Sequence, residues 1–285
     1  MLTTKSFQNG TVPLNYVEGP DSGPPLLLLH GITQRWQEFI QVIPALAPTY
    51  HVYAVDFRGH GKSGRAAGSY NGENYSRDIL ALIDDVIGEP VILFGHSLGG
   101  MVSLYVGANF PGRLRAQILG DCIVFGSKMA GTVLPSMFQN VYDLIADGKP
   151  YEQLRREVPE MCLESPLFGK APFKMFPGCD EPYLSAWARA LSELDPDVLK
   201  MTIDGRTLEG WNPQELIAKI DCPTLLIQAD PKMGGLMTDH DVAQIKAAHP
   251  DIQHVRINGV GHSLHMFDPA PVLRALMNFL VTLEG

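Results

Sequence analysis

Six short runs of mostly apolar residues, each followed within a few residues by a turn signal or a helix-like segment, constrain this fold more than any other feature. They are LLLL at 26–29, VYAV at 52–55, VILF at 91–94, AQIL at 116–119, TLLI at 224–227 and HVRI at 254–257. Runs of this length without polar alternation read as strands covered on both faces, as in a parallel sheet. Helical patterns lie between them. Tyr75–Ile87 places Ile79, Leu82, Ile83 and Val86 on one face, and Leu98–Asn109 is small and apolar. Val242–Ala248 and Ala270–Leu283 follow the last two runs, and Asn9-Gly10 marks a hairpin between two N-terminal antiparallel strands. The alternation predicts a doubly wound, mostly parallel α/β sheet.

One stretch breaks the rhythm. From Cys122 to about Asn212 no strand signal is clear, and Met129, Met137, Phe138, Met161, Phe168, Phe173, Met175 and Phe176 crowd into it. Helical pieces are expected near 135–147, 150–157, 182–194 and 196–201. The segment reads as a helical lid (122–212) inserted into a core formed by 1–121 and 213–285. An ordinary second domain is the alternative. A lid is favoured because the insertion leaves and rejoins the sheet at one strand-end edge, where ligands bind in such sheets.

Composition removes several classes of function. The formal net charge is −9 and no block of Lys or Arg occurs, so the basic surface that nucleic acid requires is not evident. No apolar stretch reaches the ~20 residues of a membrane helix. The opening MLTTKSFQNG lacks an apolar run after its lysine, which argues against a signal peptide and for a cytoplasmic location. Four cysteines (Cys122, Cys162, Cys179, Cys222) show no C-x-x-C spacing and are expected to be buried free thiols. No metal-ligand spacing stands out, and no cofactor is expected.

The chemistry concentrates at three strand ends. Gly95-His96-Ser97-Leu98-Gly99 fits G-x-S-x-G, with VILF before it and a helix-like segment after. Such a strand-to-helix elbow strains the serine, exposes its hydroxyl and points the Leu98 N–H at a developing oxyanion. His30-Gly31-Ile32 ends an earlier strand, and the Ile32 N–H is expected to complete a two-donor oxyanion hole. Gly261-His262 lies just past the last strand, so His262 is the expected general base for Ser97. His254 and His265 are weaker rivals.

Taken together, His30-Gly31, Asp56-Phe57-Arg58-Gly59-His60-Gly61-Lys62-Ser63, Gly95–Gly100 and Gly261-His262 resemble the α/β-hydrolase superfamily, in order and across nearly the whole chain. The resemblance implies an eight-stranded sheet, a helical cap and a Ser–acid–His triad. It implies a structural role for the DFRGHGKS stretch.

The acid has two candidates. Members of the superfamily commonly place it in a G-x-x-D-like turn after the strand here reading TLLI; counting from Ala229 puts it at Lys232. Asp230 comes two residues early. Relatives with a turn similar to Gln228-Ala229-Asp230-Pro231, certain dehalogenases among them, carry the carboxylate at the end of the preceding strand, which is Asp121 here. Asp121 is favoured, and Asp230 remains open as the alternative, with a turn-forming role before Pro231 as its other reading. Asp239 and Asp241 look like helix N-terminal residues.

The expected activity is hydrolysis of carboxylic esters of small or medium hydrophobic substrates through an acyl-enzyme. Lactonase, thioesterase, amidase or C–C bond hydrolase activity would use the same residues, and peroxide chemistry is a further possibility on this scaffold. By the family pattern, haloalkane dehalogenases and epoxide hydrolases need an aspartate nucleophile, which Ser97 does not supply. A lidded small-molecule receptor is the non-enzymatic alternative. Oligomeric state is not legible in the chain.

Overall fold

The computed structural model describes residues 1–122, 124, 134–165 and 169–283. The remaining positions, Met129 and Phe168 among them, lie outside the described residues. Eight strands form one sheet: β1 (Thr3–Asn9), β2 (Val12–Glu18), β3 (Pro25–Leu29), β4 (His51–Val55), β5 (Val91–His96) and β6 (Leu114–Gly120), then, beyond the insertion, two more. The insertion holds a two-stranded antiparallel ribbon, β7 (Cys162–Ser165) with β8 (Gly169–Pro172). The sheet resumes with β9 (Thr224–Ala229) and β10 (Gln253–Ile257), in the order β1-β2-β4-β3-β5-β6-β9-β10. Strands from β4 to β10 in that order run parallel, while β1 and β2 pair antiparallel with each other and β2 pairs antiparallel with β4.

The apolar runs serve both faces. Leu27, Leu29, Val55, Leu93 and Leu119 pack on one side with the helices Gly72–Leu82 and Leu98–Asn109. Leu26, Leu28, Val52, Phe94, Ile118 and Ile227 pack on the other, against the helix Pro269–Val281. All of these strand residues are essentially inaccessible, which explains the missing polar alternation.

The DFRGHGKS stretch braces the loop after β4. Asp56 accepts hydrogen bonds from the Trp36 N–H, the Lys62 N–H and Asn15 Nδ2, and Arg58 forms a buried two-point contact with Asp78. A buried charge is tolerated only when paired and hydrogen-bonded in this way.

Between β6 and β9 the chain forms the helices Leu134–Ile145, Tyr151–Glu157, Glu181–Ser192 and Pro196–Ile203, close to the expected positions. The β7–β8 ribbon is a departure from the sequence reading. It is only four residues per strand and mixes polar with apolar residues, too short for periodicity to register. The insertion is tied to the core at several points. Trp187 Nε1–H donates to Thr33 Oγ1 (3.1 Å), Tyr70 O–H donates to Asp195 Oδ2 (2.6 Å), and Arg35 pairs with Glu193. Cys122, Cys179 and Cys222 are buried free thiols, whereas Cys162 is exposed on the ribbon, contrary to expectation. No described helix is long and apolar enough to cross a membrane.

Candidate active site

Ser97 sits at the junction of β5 and the helix Leu98–Asn109 with φ +54°, one of two non-glycine residues at positive φ among those described. Its neighbours explain the strain. A Cβ on Gly95 would stand 2.1 Å from the Gly99 carbonyl oxygen, and one on Gly99 would stand 2.1 Å from the Leu29 carbonyl oxygen. Helix and sheet therefore close to a distance that only hydrogen permits, and the backbone is forced into a conformation that costs of order 1–3 kcal/mol. The result lifts Ser97 into a cavity of about 1460 Å³ whose wall also includes Ile32, Leu98 and His262. Among the described residues, the N–H groups of Ile32 and Leu98 and the hydroxyl of Ser97 donate to no protein acceptor. They are free to meet a bound oxygen. A serine–histidine hydrogen bond is not formed in this state; such contacts often tighten only around a substrate.

The second positive-φ residue is Asp121, at +37°, directly after β6. It is fully buried. Its Oδ2 lies 2.7 Å from His262 Nδ1 and accepts the Leu236 N–H at 2.8 Å, while Oδ1 accepts the N–H groups of Ala229 (3.1 Å) and Met237 (3.2 Å). The carboxylate is thus oriented by the loop after β9 and delivered to a histidine on the loop after β10.

Asp230, the rival, does not touch His262. It accepts from the Lys232 N–H and the Gly259 N–H, both at 3.0 Å, and pairs with Arg256. The Gly259 and Lys232 N–H groups, helped by Arg256, hold its carboxyl below the usual range. It caps the short turn Pro231–Met233 and staples that turn to the His262 loop. The two loops approach so closely that a Cβ on Gly261 would lie 2.4 Å from the Met233 carbonyl oxygen. Asp241 closes a capping box with Thr238 and Asp239 begins the helix Asp239–Ala248, as their positions suggested.

His262 has its side chain a quarter exposed, on the cavity side. Enclosure pushes its imidazole below the ordinary 6.5; the Asp121 hydrogen bond pulls the other way, and the charge of His96 adds to the depression. His254 hydrogen-bonds Gln228 and His265 is fully buried, so neither reaches the cavity.

Three residues not singled out from sequence shape the site. His60 Nε2–H donates to the Ile32 carbonyl, fixing the loop after β3 from behind. Glu38 accepts the Gly31 N–H at 2.6 Å. Glu38 also touches His96 Nδ1, and His265 Nε2 lies 3.2 Å from the same oxygen. By distance these are ion pairs, although their angles fall short of hydrogen-bond geometry. Glu38, His96 and His265 are the described cluster with metal-ligand side chains. The carboxylate and the His96 ring are already in direct contact, so an ion would have to break that pair to enter. The signal for His96 lay in the motif itself, as the variable residue of G-x-S-x-G. Glu38 gave none, because its histidine partners lie far along the chain.

Residues 26–275 match the family model for the alpha/beta hydrolase family, so the chain belongs to that family. It is 26% identical to the 2-(acetamidomethylene)succinate hydrolase of Mesorhizobium japonicum over 275 residues, covering 95% of this chain and 92% of that one. It is 28% identical to epoxide hydrolase A of Mycobacterium tuberculosis, covering 99% and 98%. The solved structure of a thermophilic esterase from Thermogutta terrifontis superposes with a TM-score of 0.75 at 20% identity, covering the whole of both chains. These relatives differ in reaction, so membership defines a hydrolase of this fold and leaves the bond cleaved to the site.

Proposed function

We propose that this protein is a serine hydrolase of carboxylic esters carrying small or medium hydrophobic groups, working through an acyl-enzyme. The observation that carries the reading is the Asp121–His262 contact beside a strained Ser97 in one largely apolar cavity. His262 Nε2 takes the Ser97 proton as Oγ attacks the acyl carbon. Asp121 holds the tautomer with Nδ1 protonated and balances the imidazolium. The N–H groups of Ile32 and Leu98 stabilise the oxyanion, each contributing roughly 3–4 kcal/mol in the transition state. The proton passes to the leaving alcohol, and a water deprotonated by His262 then releases the acid.

The wall supports a neutral, apolar substrate. Phe173, Tyr183, Trp187, Trp211, Met101 and Phe138 dominate it, and Lys232, exposed, is the one lysine or arginine among the described lining residues. A buried arginine or lysine to receive a substrate carboxylate is absent from that described wall. This separates the proposed substrate from the succinate derivative in the name of the Mesorhizobium japonicum relative. Epoxide opening is disfavoured because Ser97 occupies the nucleophile position.

The test is turnover of short p-nitrophenyl esters, thioesters and lactones by wild type and Ser97→Ala, with fluorophosphonate labelling alongside. Ser97-dependent ester turnover and labelling at Ser97 are expected. Turnover only of lactones or thioesters would move the substrate class. No Ser97-dependent turnover at all would leave a lidded receptor as the better reading.

A further inference from the structure

Behind the reacting groups, one buried carboxylate gathers three loops. Glu38 is inaccessible, on a turn after β3. Its Oε2 accepts the N–H of Gly31, next to Ile32 on the oxyanion loop. Its Oε1 touches Nδ1 of His96, the residue before Ser97. The far nitrogen of the same ring, Nε2, lies 2.9 Å from the backbone carbonyl of His262. The His96 and His262 rings face each other with centroids 4.6 Å apart, tilted by 37°.

Counting protons makes this arrangement informative. The His262 carbonyl can only accept, so His96 Nε2 carries a hydrogen. A carboxylate oxygen in contact with Nδ1 favours a second proton on that nitrogen, since an anion beside its bare lone pair would be repelled. Glu38 Oε2 accepts the Gly31 N–H, while His96 and, at 3.2 Å, His265 stand at ion-pair distance from Oε1. A carboxyl group so surrounded is favoured as the anion, which leaves the proton on the ring.

We propose that Glu38 is a positioning residue that keeps His96 as an imidazolium hydrogen-bonded to the His262 carbonyl, so that one carboxylate sets the oxyanion loop, the elbow and the histidine loop together. The effect on rate rests on the serine-hydrolase reading; the protonation state of His96 does not. The charged or titratable groups facing the pair are His265, His262, Asp121, His30 and Tyr183. Burial alone pushes His96 down, but the Glu38 charge beside it outweighs burial and the net displacement is upward. Glu38 is held well below the usual carboxylate range: burial pushes it up, and His96 and His265 pull it down further.

The imidazolium also acts on its neighbour. Lying against the His262 ring, its positive charge favours the neutral base there. His96 depresses His262 more than the more remote Glu38 raises it.

The experiment is histidine-selective 15N NMR of the full chain with and without Glu38→Gln, the His96 signals being assigned through His96→Gln. In wild type at pH 7, both His96 ring nitrogens should carry protons; in Glu38→Gln, His96 should be neutral at that pH. A neutral His96 in wild type overturns the proposal, whether or not the variant folds. On esters, Glu38→Gln should lose about tenfold to a hundredfold in kcat, by analogy with the loss when the partner orienting a metal-bound histidine is removed, with KM changed less. Its acid limb in kcat/KM should move to higher pH, and Glu38→Asp should restore part of both. A folded Glu38→Gln with unchanged kcat and an unchanged acid limb also overturns it. Absence of Ser97-dependent turnover in wild type would instead sink the hydrolase reading and leave the NMR result standing.

Discussion

Two turns at the carboxyl edge of the sheet each present an aspartate, and they are built in opposite ways. The turn after β6 carries Asp121 at positive φ, fully buried, with its carboxylate held by three N–H groups of the neighbouring strand end and loop. The turn after β9 carries Asp230 in ordinary extended backbone, its carboxylate directed to Arg256 and the Gly259 N–H. Strain and burial accompany the aspartate that meets His262. Ordinary backbone and an ion pair near the surface accompany the one that shapes a loop. Chain order alone, Ser…Asp…His, fits both aspartates and does not separate them.

The sharpest way to break the contrast is to neutralise each carboxylate. Asp121→Asn should lower kcat by roughly 10³–10⁴, because the amide favours the wrong imidazole tautomer. Asp230→Asn should stay within about tenfold of wild type. Equal losses would erase the distinction. A smaller effect concerns pH. His262 is neutral at lower pH than a free imidazole, since its enclosure and the nearby His96 charge depress it below 6.5. A base must be unprotonated to act, so kcat/KM should rise with pH through a midpoint below 6.5. A midpoint at or above 6.5 would mean that Asp121, which pulls His262 upward, dominates the site. The smallest effect belongs to the other turn. Asp230→Ala should lower the melting temperature by a few degrees while kcat stays close to wild type, as thermal unfolding and steady-state rates on the same preparation would reveal. A large kcat loss there would show that the Pro231–Met233 turn positions His262 as much as Asp121 does.

Much of the fold was legible because buried parallel strands cannot alternate. Residues 26–29, 91–94 and 224–227 are covered on both faces, and their apolar runs said so. The elbow was equally legible, since the Gly95 and Gly99 backbones approach too closely for any Cβ. The β7–β8 ribbon was not, being too short to carry a period. The helices of the insertion announced themselves, but how that insertion seats on Thr33 and Tyr70 depends on partners more than a hundred residues away.

The sequence by itself determined the sheet, the elbow that carries Ser97 and the position of His262 past the last strand, because each follows from local pattern: burial, glycine contacts and chain order. Tertiary structure alone decided that Asp121 rather than Asp230 meets His262, and that Glu38 stands behind His96. Both are pairings across 58 residues or more, 141 in the first case, and 58 in the second by residue number. A carboxylate's partner is set by where separate strand ends converge in space; neighbouring residues can favour one candidate, but they do not fix that convergence.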